Sequence, residues 1–460
     1  MEDNNITDLL SRYEEMIRNG KSVYFDSDEF EELADYYDAH ENPEEVSNVI
    51  EEGLKQHPGN QNLIFKKIRM YIYNEQYAEA SSLMNSLSTD TSDVDVMLLK
   101  AEIFLNTDNI QSGLSIFDLL SEQADDEYIF PEISDILKSL EMFDDAINYL
   151  KKGLSKFPES IDIRRETADN YRLSGRHDEA IIVYNEILDI DPYSAEDWTD
   201  LGELYSLKGN YEKAIEAFDF SLTIDETDDR TLYMKGNCLI LNENYEKAIE
   251  TFQEYIALNP EDETPYILIA ECYEEMEQYD EAFAYCLKAL DANKDSILAH
   301  KKIVYFLMEQ DHFEKALMYV DKALEITQAD SNLFFLKADI LTATGNYSEA
   351  LNNYRSALLA STDNDEKTDI LYSIGVLKQK EEKDKEALLF FEQVEEFKSN
   401  YPGLFLKMAI SYYETLQYDK CIEYLEKASD ESTIGLSIEE IRNKEKVIHE
   451  LMLLLQDPRL

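Results

Sequence analysis

The sequence predicts an all-α fold built from a long array of helical hairpins, and three periodic features support this. Alanines recur every 34 residues from Ala146 to Ala350. An aromatic residue such as Tyr211 or Tyr245 stands three positions before most of these alanines. Small residues such as Gly202 recur with the same period on the preceding segment. A fixed period of this length is typical of stacked repeats, so we expect one elongated body without a single globular core.

Each repeat is interpreted as two antiparallel helices that cross at small residues, because larger side chains there would force the two backbones apart. The alanine row supplies these residues on the second helices. On the first helices the crossing positions are Gly202, Gly236, Ala270, Ala338, Gly375 and Ala409. Large residues such as Leu201, Tyr205 and Phe218 are expected to fill the remaining space at helical spacings.

Proline and glycine mark the helix ends. Proline lacks an amide and clashes with the preceding turn, so it ends second helices. Glycine favours the left-handed turn between the two helices of a hairpin, where other repeats carry Glu or Asp. The prolines in question are Pro158, Pro192 and Pro260, and the glycines are Gly175, Gly209 and Gly345.

The pattern divides the chain into three parts. Residues 1–26 are expected to hold an N-terminal capping helix, 27–435 about twelve repeats, and 436–460 a C-terminal capping helix. Leu9, Tyr13 and Met16 form an apolar stripe near the start. The polar stretch 361–369 interrupts the period and is interpreted as a loop or a hinge.

The charge balance restricts the partners. The formal net charge is −57, from 99 acidic and 42 basic side chains. Such a charge repels nucleic-acid phosphates and anionic membrane surfaces. No apolar run reaches the roughly 18 residues that a membrane span needs. The first residues lack the basic and apolar segments of a signal peptide, so a cytoplasmic protein is expected.

The residues that usually carry chemistry show no clustered pattern. The four cysteines, Cys238, Cys272, Cys286 and Cys421, fall on packing positions and are interpreted as small buried hydrophobes. The six histidines are scattered along the chain, and no phosphate-binding or zinc-protease motif is present. We therefore expect no catalytic residues, no cofactor and no metal site.

One segment carries a specific family motif. Trp198-x2-Leu201-Gly202-x2-Tyr205, followed by Ala214-x3-Phe218, resembles the tetratricopeptide repeat, and the likeness extends in register over nearly the whole chain. The chain also resembles acidic multi-repeat proteins of bacteria. This resemblance implies a right-handed α-α superhelix, or solenoid. Its concave groove, lined by the first helices, would bind a peptide or a partner segment.

Candidate partner-binding residues are assigned to inner positions of the first helices. The acidic candidates are Asp28, Glu31, Glu32, Asp35, Asp169, Asp200, Glu203, Glu271, Glu274 and Glu275. The apolar candidates, toward the end of the chain, are Phe335, Tyr372, Val376, Leu406, Ile410 and Tyr413. Two alternatives stay open: the carboxylates form only a solvated face, or the rings pack against neighbouring repeats.

These residues predict a non-enzymatic scaffold, adaptor or chaperone-like factor. Its expected partner is a protein segment with basic residues and apolar anchors, which an acidic groove would attract. The family's clamp for a C-terminal carboxylate is incomplete, since Asn237 and Lys302 fill only two of its slots. The alternative is a regulatory or assembly subunit of an enzyme complex that docks through the convex face or the C-terminal helix. The oligomeric state is left open.

Overall fold

The structure is a computed structural model that describes residues 3–19, 23–40, 42–87, 93–107, 109–327 and 329–430. The chain divides into two compact units, Met1–Asp225 and Glu226–Leu460. Within the described residues all regular structure is helical. The all-α fold predicted from the period is therefore confirmed.

In the part of the first unit that the structure describes, one helix is followed by six helical hairpins. We call the first helix of each hairpin its A helix and the second its B helix. The helices are α1 (Asp3–Asn19), α2 (Ser27–Ala39), α3 (Pro43–Gln56), α4 (Gln61–Tyr73), α5 (Tyr77–Ser86), α6 (Val94–Leu105), α7 (Ile110–Gln123), α8 (Ile129–Ser139), α9 (Phe143–Lys156), α10 (Ile161–Leu173), α11 (His177–Ile190), α12 (Ala195–Leu207) and α13 (Tyr211–Ile224).

The second unit continues with six hairpins in the described residues. They are formed by α14 (Asp229–Leu241), α15 (Tyr245–Leu258), α16 (Thr264–Glu275), α17 (Tyr279–Ala292), α18 (Ile297–Glu309), α19 (Phe313–Ile326), α20 (Ser331–Ala343), α21 (Tyr347–Ala360), α22 (Asn364–Lys380), α23 (Asp384–Phe397), α24 (Leu404–Glu414) and α25 (Tyr418–Asp430). The predicted C-terminal capping helix, 436–460, lies outside the described residues.

Local sequence signals set the helix starts. The side chains of Ser160, Ser194, Ser296 and Asp330 each accept a hydrogen bond from the backbone amide three residues later. Such a cap satisfies an amide that has no partner within the helix. These caps are separated by one or more whole periods of 34 residues, so the A helices that carry them start at equivalent points.

The A and B helices cross at the small residues that the period singled out. A Cβ atom on Gly202 would lie 2.6 Å from Cε1 of Phe218, and one on Gly236 would lie 2.5 Å from Cζ of Phe252. Both distances are too short for real contacts, so only glycine lets these rings pack across the hairpin. Ala270 occupies the same slot, but the residue sixteen positions later is the smaller Cys286.

The turns within the hairpins use the left-handed conformation as predicted. Gly175, Gly209 and Gly345 have positive φ angles. Other hairpins place an acidic residue there, at Glu75, Glu141, Glu243, Glu277, Asp311 and Glu382. In the last hairpin Leu416 takes this conformation with φ 61°, a residue type that the prediction did not include. A side chain other than glycine in this region costs about 1–2 kcal/mol.

The interpretation of 361–369 as a loop or a hinge is wrong for residues 364–369, because only 361–363 lie outside a helix. Residues 364–380 form the continuous 17-residue helix α22, and Oδ1 of Asp363 accepts the amide of Glu366 at 2.8 Å. The inserted residues add a turn to the start of an A helix instead of separating two repeats. The strong N-cap explains this outcome, because it starts the helix before the point at which the period resumes.

Gly236→Ala should destabilise the second unit by about 1–3 kcal/mol, because its new methyl group would push the Phe252 ring away. Gly59→Ala is the control, since a Cβ atom there meets nothing within 4 Å. Urea denaturation, with hydrogen exchange in α14 and α15, measures the effect. Equal midpoints for both variants would show that Phe252 adapts without cost.

Glu243→Gly should stabilise the chain by about 0.5–1 kcal/mol, because it removes left-handed strain while adding some unfolded-state entropy. Glu250→Gly, at an exposed position within α15, should instead cost about 1 kcal/mol. Thermal denaturation of the two variants compares these effects. Destabilisation by both would mean that the Glu243 side chain makes an important interaction.

Candidate partner-binding surfaces

The acidic candidates on α2 form hydrogen bonds and an ion pair with the next A helix. Glu31 accepts from Nδ2 of Asn60 at 3.2 Å and from Nδ2 of Asn62 at 2.9 Å. Asp35 forms an ion pair with Lys66. These side chains therefore connect neighbouring repeats. The other two acidic candidates on this helix are exposed, Asp28 and Glu32.

Asp169 belongs to an ion-pair network between α8 and α10. Nζ of Lys138 lies 3.3 Å from Asp169 and 3.0 Å from Glu166, and Arg172 also contacts Asp169. Although burial lowers the pKa of Arg172, the hydrogen bond to Asp169 and the charge of Glu203 raise it overall. The carboxylates here keep nearby cations charged, and much of their own charge is neutralised within the repeat stack.

The acidic residues of α12 also have partners in the first unit. The hydroxyl of Tyr184 donates to Asp200 at 3.1 Å, and burial together with the charge of Asp200 raises the pKa of Tyr184. Beside this contact, Nε and Nη2 of Arg165 donate to the buried Asp197 at 2.8 and 2.7 Å. This bidentate pair ties α10 to α12.

In the second unit, one cation joins two of the three acidic candidates. Nζ of Lys302 on α18 lies 3.1 Å from Glu271 and 2.9 Å from Glu274 on α16. Burial lowers the pKa of Lys302, but these two carboxylates raise it overall. Glu275 is exposed. The three carboxylates and Lys302 leave a formal surplus of negative charge.

The apolar candidates pack mainly within their own unit. Phe335 lies 5.8 Å from Tyr354 between ring centroids, and Tyr372 lies 4.7 Å from Tyr401. Leu406 is only 1% exposed and belongs to the hydrophobic core, so its assignment to a partner-binding surface is wrong. Burial by neighbouring hairpins, which the sequence left as an alternative, is the physical reason.

The remaining apolar candidates are half-buried. Val376 and Ile410 pack against the core of the last hairpins, and Tyr413 meets Tyr418 edge to face at 6.0 Å. Each leaves only part of its side chain to solvent.

Several apolar residues at other A-helix positions are exposed, although the sequence did not predict them as binding candidates. On α18, Leu298 is 52% exposed and Tyr305 is 46% exposed. In the first unit, Leu173 and Leu207 end α10 and α12 and are exposed as well. Their regular spacing can be read from the sequence, since Leu298 and Tyr305 are seven residues apart and Leu173 and Leu207 are one period apart. Helical spacing alone did not show that they lack a covering neighbour.

The cysteines and the potential metal ligands do not form a metal site in the described part of the chain. The four cysteines are buried, and burial raises the pKa of the Cys272 and Cys286 thiols to about 12. No group of three or more His, Cys, Asp or Glu side chains could hold a metal ion within the described ranges. None of the helices that could be searched is long and apolar enough to span a membrane.

One carboxylate is held against a buried phenol. Oδ1 of Asp339, on α20, accepts the hydroxyl of Tyr354 at 2.5 Å. Burial raises the pKa of Asp339 to about 6, although the Tyr354 hydrogen bond and the charge of Lys380 lower it. Asp339 occupies an inner A-helix position, but it acts as part of the packing between α20 and α21.

Comparisons with family models agree with the repeated hairpin. Residues 135–195 match a family model described as tetratricopeptide repeat. Residues 173–255 and 207–289 match the model described as anaphase-promoting complex, cyclosome, subunit 3. No curated protein matches the chain significantly.

Several solved structures match the chain in whole or in part. A crystal structure of MamA is 27% identical and covers 35% of this chain and 94% of its own, with a TM-score of 0.33. The Cut9-Hcn1 hetero-tetramer of the anaphase-promoting complex is 14% identical and covers 92% and 96%, with a TM-score of 0.41. The C-terminal part of a repeat protein from Cytophaga hutchinsonii is 18% identical and covers 51% and 97%, with a TM-score of 0.44.

Asp339→Asn tests the buried carboxylate. Because the folded pKa of about 6 exceeds the unfolded value of about 3.9, Asp339 stabilises the fold fully only below the unfolded pKa. This contribution is lost as the pH rises through about 6. The stability of Asp339→Asn relative to the native chain should thus rise by about 2–3 kcal/mol from pH 4 to pH 7.

Urea denaturation at several pH values measures this difference. Glu349→Gln removes an exposed carboxylate on the neighbouring α21 and serves as the control. A stability difference for Asp339→Asn that does not change with pH would contradict the assigned protonation.

Proposed function

Because this chain is a multi-repeat tetratricopeptide-repeat protein, we propose that it is a non-enzymatic scaffold or adaptor. It binds a segment of a partner protein along its A helices. The binding surface that we favour lies in the second unit and consists of Glu271, Glu274, Glu275, Leu298, Lys302 and Tyr305. We call it the α16–α18 surface.

The observation that carries this proposal is the bridge formed by Lys302. By contacting both Glu271 and Glu274, Lys302 fixes the A helices of two neighbouring hairpins at one point. Leu298 and Tyr305 flank Lys302 on the same helix, four residues before and three residues after it, and both are exposed. A partner would therefore meet apolar side chains on a helix whose position is already set. Such preorganisation reduces the entropic cost of binding.

The charge of this surface indicates the kind of partner. Three carboxylates against Lys302 attract a basic segment and speed its association. Tyr305 offers a rigid, amphipathic ring of the type found at interaction hot spots. The partner segment is accordingly basic, with an apolar side chain that packs against Tyr305 and Leu298.

The other acidic candidates extend this role in the first unit. Asp28 and Glu32 on α2 are exposed and available to a basic segment. Asp35, Asp169 and the acidic residues of α12 contribute to the local field while they also tie the repeats together. The apolar candidates Phe335 and Tyr372 support the inner surface through packing.

A non-enzymatic role is supported by the chemistry of the described residues. A thiol is nucleophilic only as its thiolate, and the raised pKa of Cys272 and Cys286 keeps both protonated near neutral pH. The wide, apolar-and-acidic helical surfaces are suited to binding an extended segment. We infer that recognition, and not bond formation, is the activity of this chain.

Tyr305→Ala should raise the dissociation rate of a partner captured by the full chain, with a loss of about 1–2 kcal/mol in affinity. Tyr279→Ala is its matched control, because Tyr279 is also about half exposed but begins a B helix. Surface plasmon resonance on the captured partner separates the two rate constants.

Charge reversal completes this test. Glu275→Lys should slow association, and the effect should shrink as salt rises, since screening acts on exposed charges. Glu250→Lys makes the same change on the B helix α15. If Tyr305→Ala matches Tyr279→Ala and Glu275→Lys matches Glu250→Lys, the α16–α18 surface is not the binding site.

A further inference from the structure

An open aromatic stack lies on the sixth hairpin of the first unit. The rings of Trp198 and Phe220 are stacked, with centroids 4.6 Å apart and planes inclined by 25°. The indole is held in place because Nε1 of Trp198 donates to the carbonyl oxygen of Pro192 at 3.0 Å. Phe220 remains 55% exposed, and Ile224, one turn further along α13, is 40% exposed. The stack is therefore fixed on one side and open to solvent on the other.

The other hairpins show that an aromatic residue is unusual at this place. Phe220 is the tenth residue of its B helix, and the tenth residue of most other B helices is charged or polar. Leu119 of α7 is the one other large apolar residue at this place in the described B helices. The charged or polar ones are Glu52, Ser86, Lys152, Glu186, Glu254, Lys288, Lys322, Ser356, Gln393 and Lys427.

Contacts of other aromatic rings in this chain indicate which group would stack on the exposed Phe220 ring. Cζ of Arg176 lies 4.6 Å from the ring centroid of Tyr171, and its Nη2 lies 2.9 Å from Glu179. In the last hairpin, Nζ of Lys427 lies 5.6 Å from the ring of Phe405. A cation over an aromatic face, with a carboxylate beside it, is thus a recurring internal contact.

At Phe220 the ring and the carboxylates are present without a cation. Glu216 stands one turn before Phe220 on α13, Glu212 a further turn before it, and both are exposed. Residues four apart on a helix are neighbours, with Cβ atoms roughly 5–6 Å apart. Among the residues that the structure describes, neither Lys nor Arg lies over the Phe220 ring.

We propose that Glu216, Phe220 and Ile224, supported by Trp198, form a second docking surface that takes an arginine-containing segment of a partner protein. The guanidinium stacks on the open face of Phe220 and pairs with Glu216. A neighbouring aliphatic side chain packs against Ile224. We call these residues the α13 patch.

The net charge of −57 decides between this occupant and two others. A second copy of the chain would bring the same acidic surface and be repelled, and an anionic membrane would be repelled in the same way. A basic segment gains from the charge and from the stack together. The α13 patch goes beyond the α16–α18 surface, because it uses B-helix residues of the first unit.

The test uses the full chain and a synthetic peptide. The probe is a helical peptide of about 15 residues made of Ala, Leu and Arg, with Arg and Leu four positions apart. A second peptide carries citrulline in place of Arg, which keeps the shape and removes the charge. Calorimetry measures the affinities, and fluorescence reports the location, since Trp198 is the single tryptophan of the chain.

We expect the Arg peptide to bind and to change Trp198 fluorescence, with the citrulline peptide about tenfold weaker. Phe220→Lys, which places there the residue that several other hairpins use, should abolish the binding that Trp198 fluorescence reports. Phe220→Leu keeps an apolar side chain without the ring and should weaken binding about threefold to tenfold. Circular dichroism confirms that both variants keep their helices.

Ile182→Lys is the matched control, because it adds the same charge at an exposed apolar position on the B helix α11. It should bind the Arg peptide nearly as well as the native chain. Equal loss in Ile182→Lys and Phe220→Lys would reveal only general charge attraction and overturn the proposal. Absence of binding to the native chain, or binding without a fluorescence change, would overturn it as well. Because Trp198 belongs to the α13 patch, its fluorescence change reports binding there and separates it from binding at the α16–α18 surface.

Discussion

The close crossing of the two helices in each hairpin is the constraint on which the rest of the structure depends. At Gly202 and Gly236 the missing side chain makes room for the rings of Phe218 and Phe252. Within each unit, adjacent hairpins pack against each other. A shift of a few tenths of an ångström at one helix crossing would therefore also move the surfaces of the hairpins packed beside it. The position of any binding surface therefore depends on this tightly packed core. It explains why small residues recur more regularly than the charged residues that face solvent.

Electrostatics forms the second layer of organisation. The chain carries a large negative charge, and two of its lysines each contact two or three carboxylates and so connect neighbouring repeats. Lys138 lies within 3.3 Å of acidic side chains from α8 and α10, and Lys302 joins two carboxylates of α16. Exposed ion pairs contribute little stability individually, whereas such bridges orient neighbouring helices. The remaining acidic excess produces a negative field that acts on charged molecules at long range.

Whether an aromatic side chain belongs to the core or is a binding candidate depends on how far neighbouring side chains cover it. Phe335 and Tyr372 pack on rings of their own hairpins. Tyr305 and Phe220 keep about half of their surface open. Aromatic residues at helical spacing can therefore either pack in the core or face solvent. The binding candidates are those that remain exposed beside a carboxylate. Two surfaces of similar chemistry, on A helices of the second unit and on a B helix of the first, would suit a scaffold that engages basic segments.

The hairpin fold, the crossings and the left-handed turns could be derived from residue types and period, because each rests on contacts within one repeat. Gly175 and Glu243 illustrate this, since backbone geometry alone dictates their turns. The partners of the carboxylates and the burial of Leu406 could not be derived in this way. They depend on side chains from other helices, such as Tyr184 opposite Asp200 and Lys302 opposite Glu274. Helical periodicity gives the face on which a residue lies, but only the packing of adjacent hairpins decides whether that face is covered.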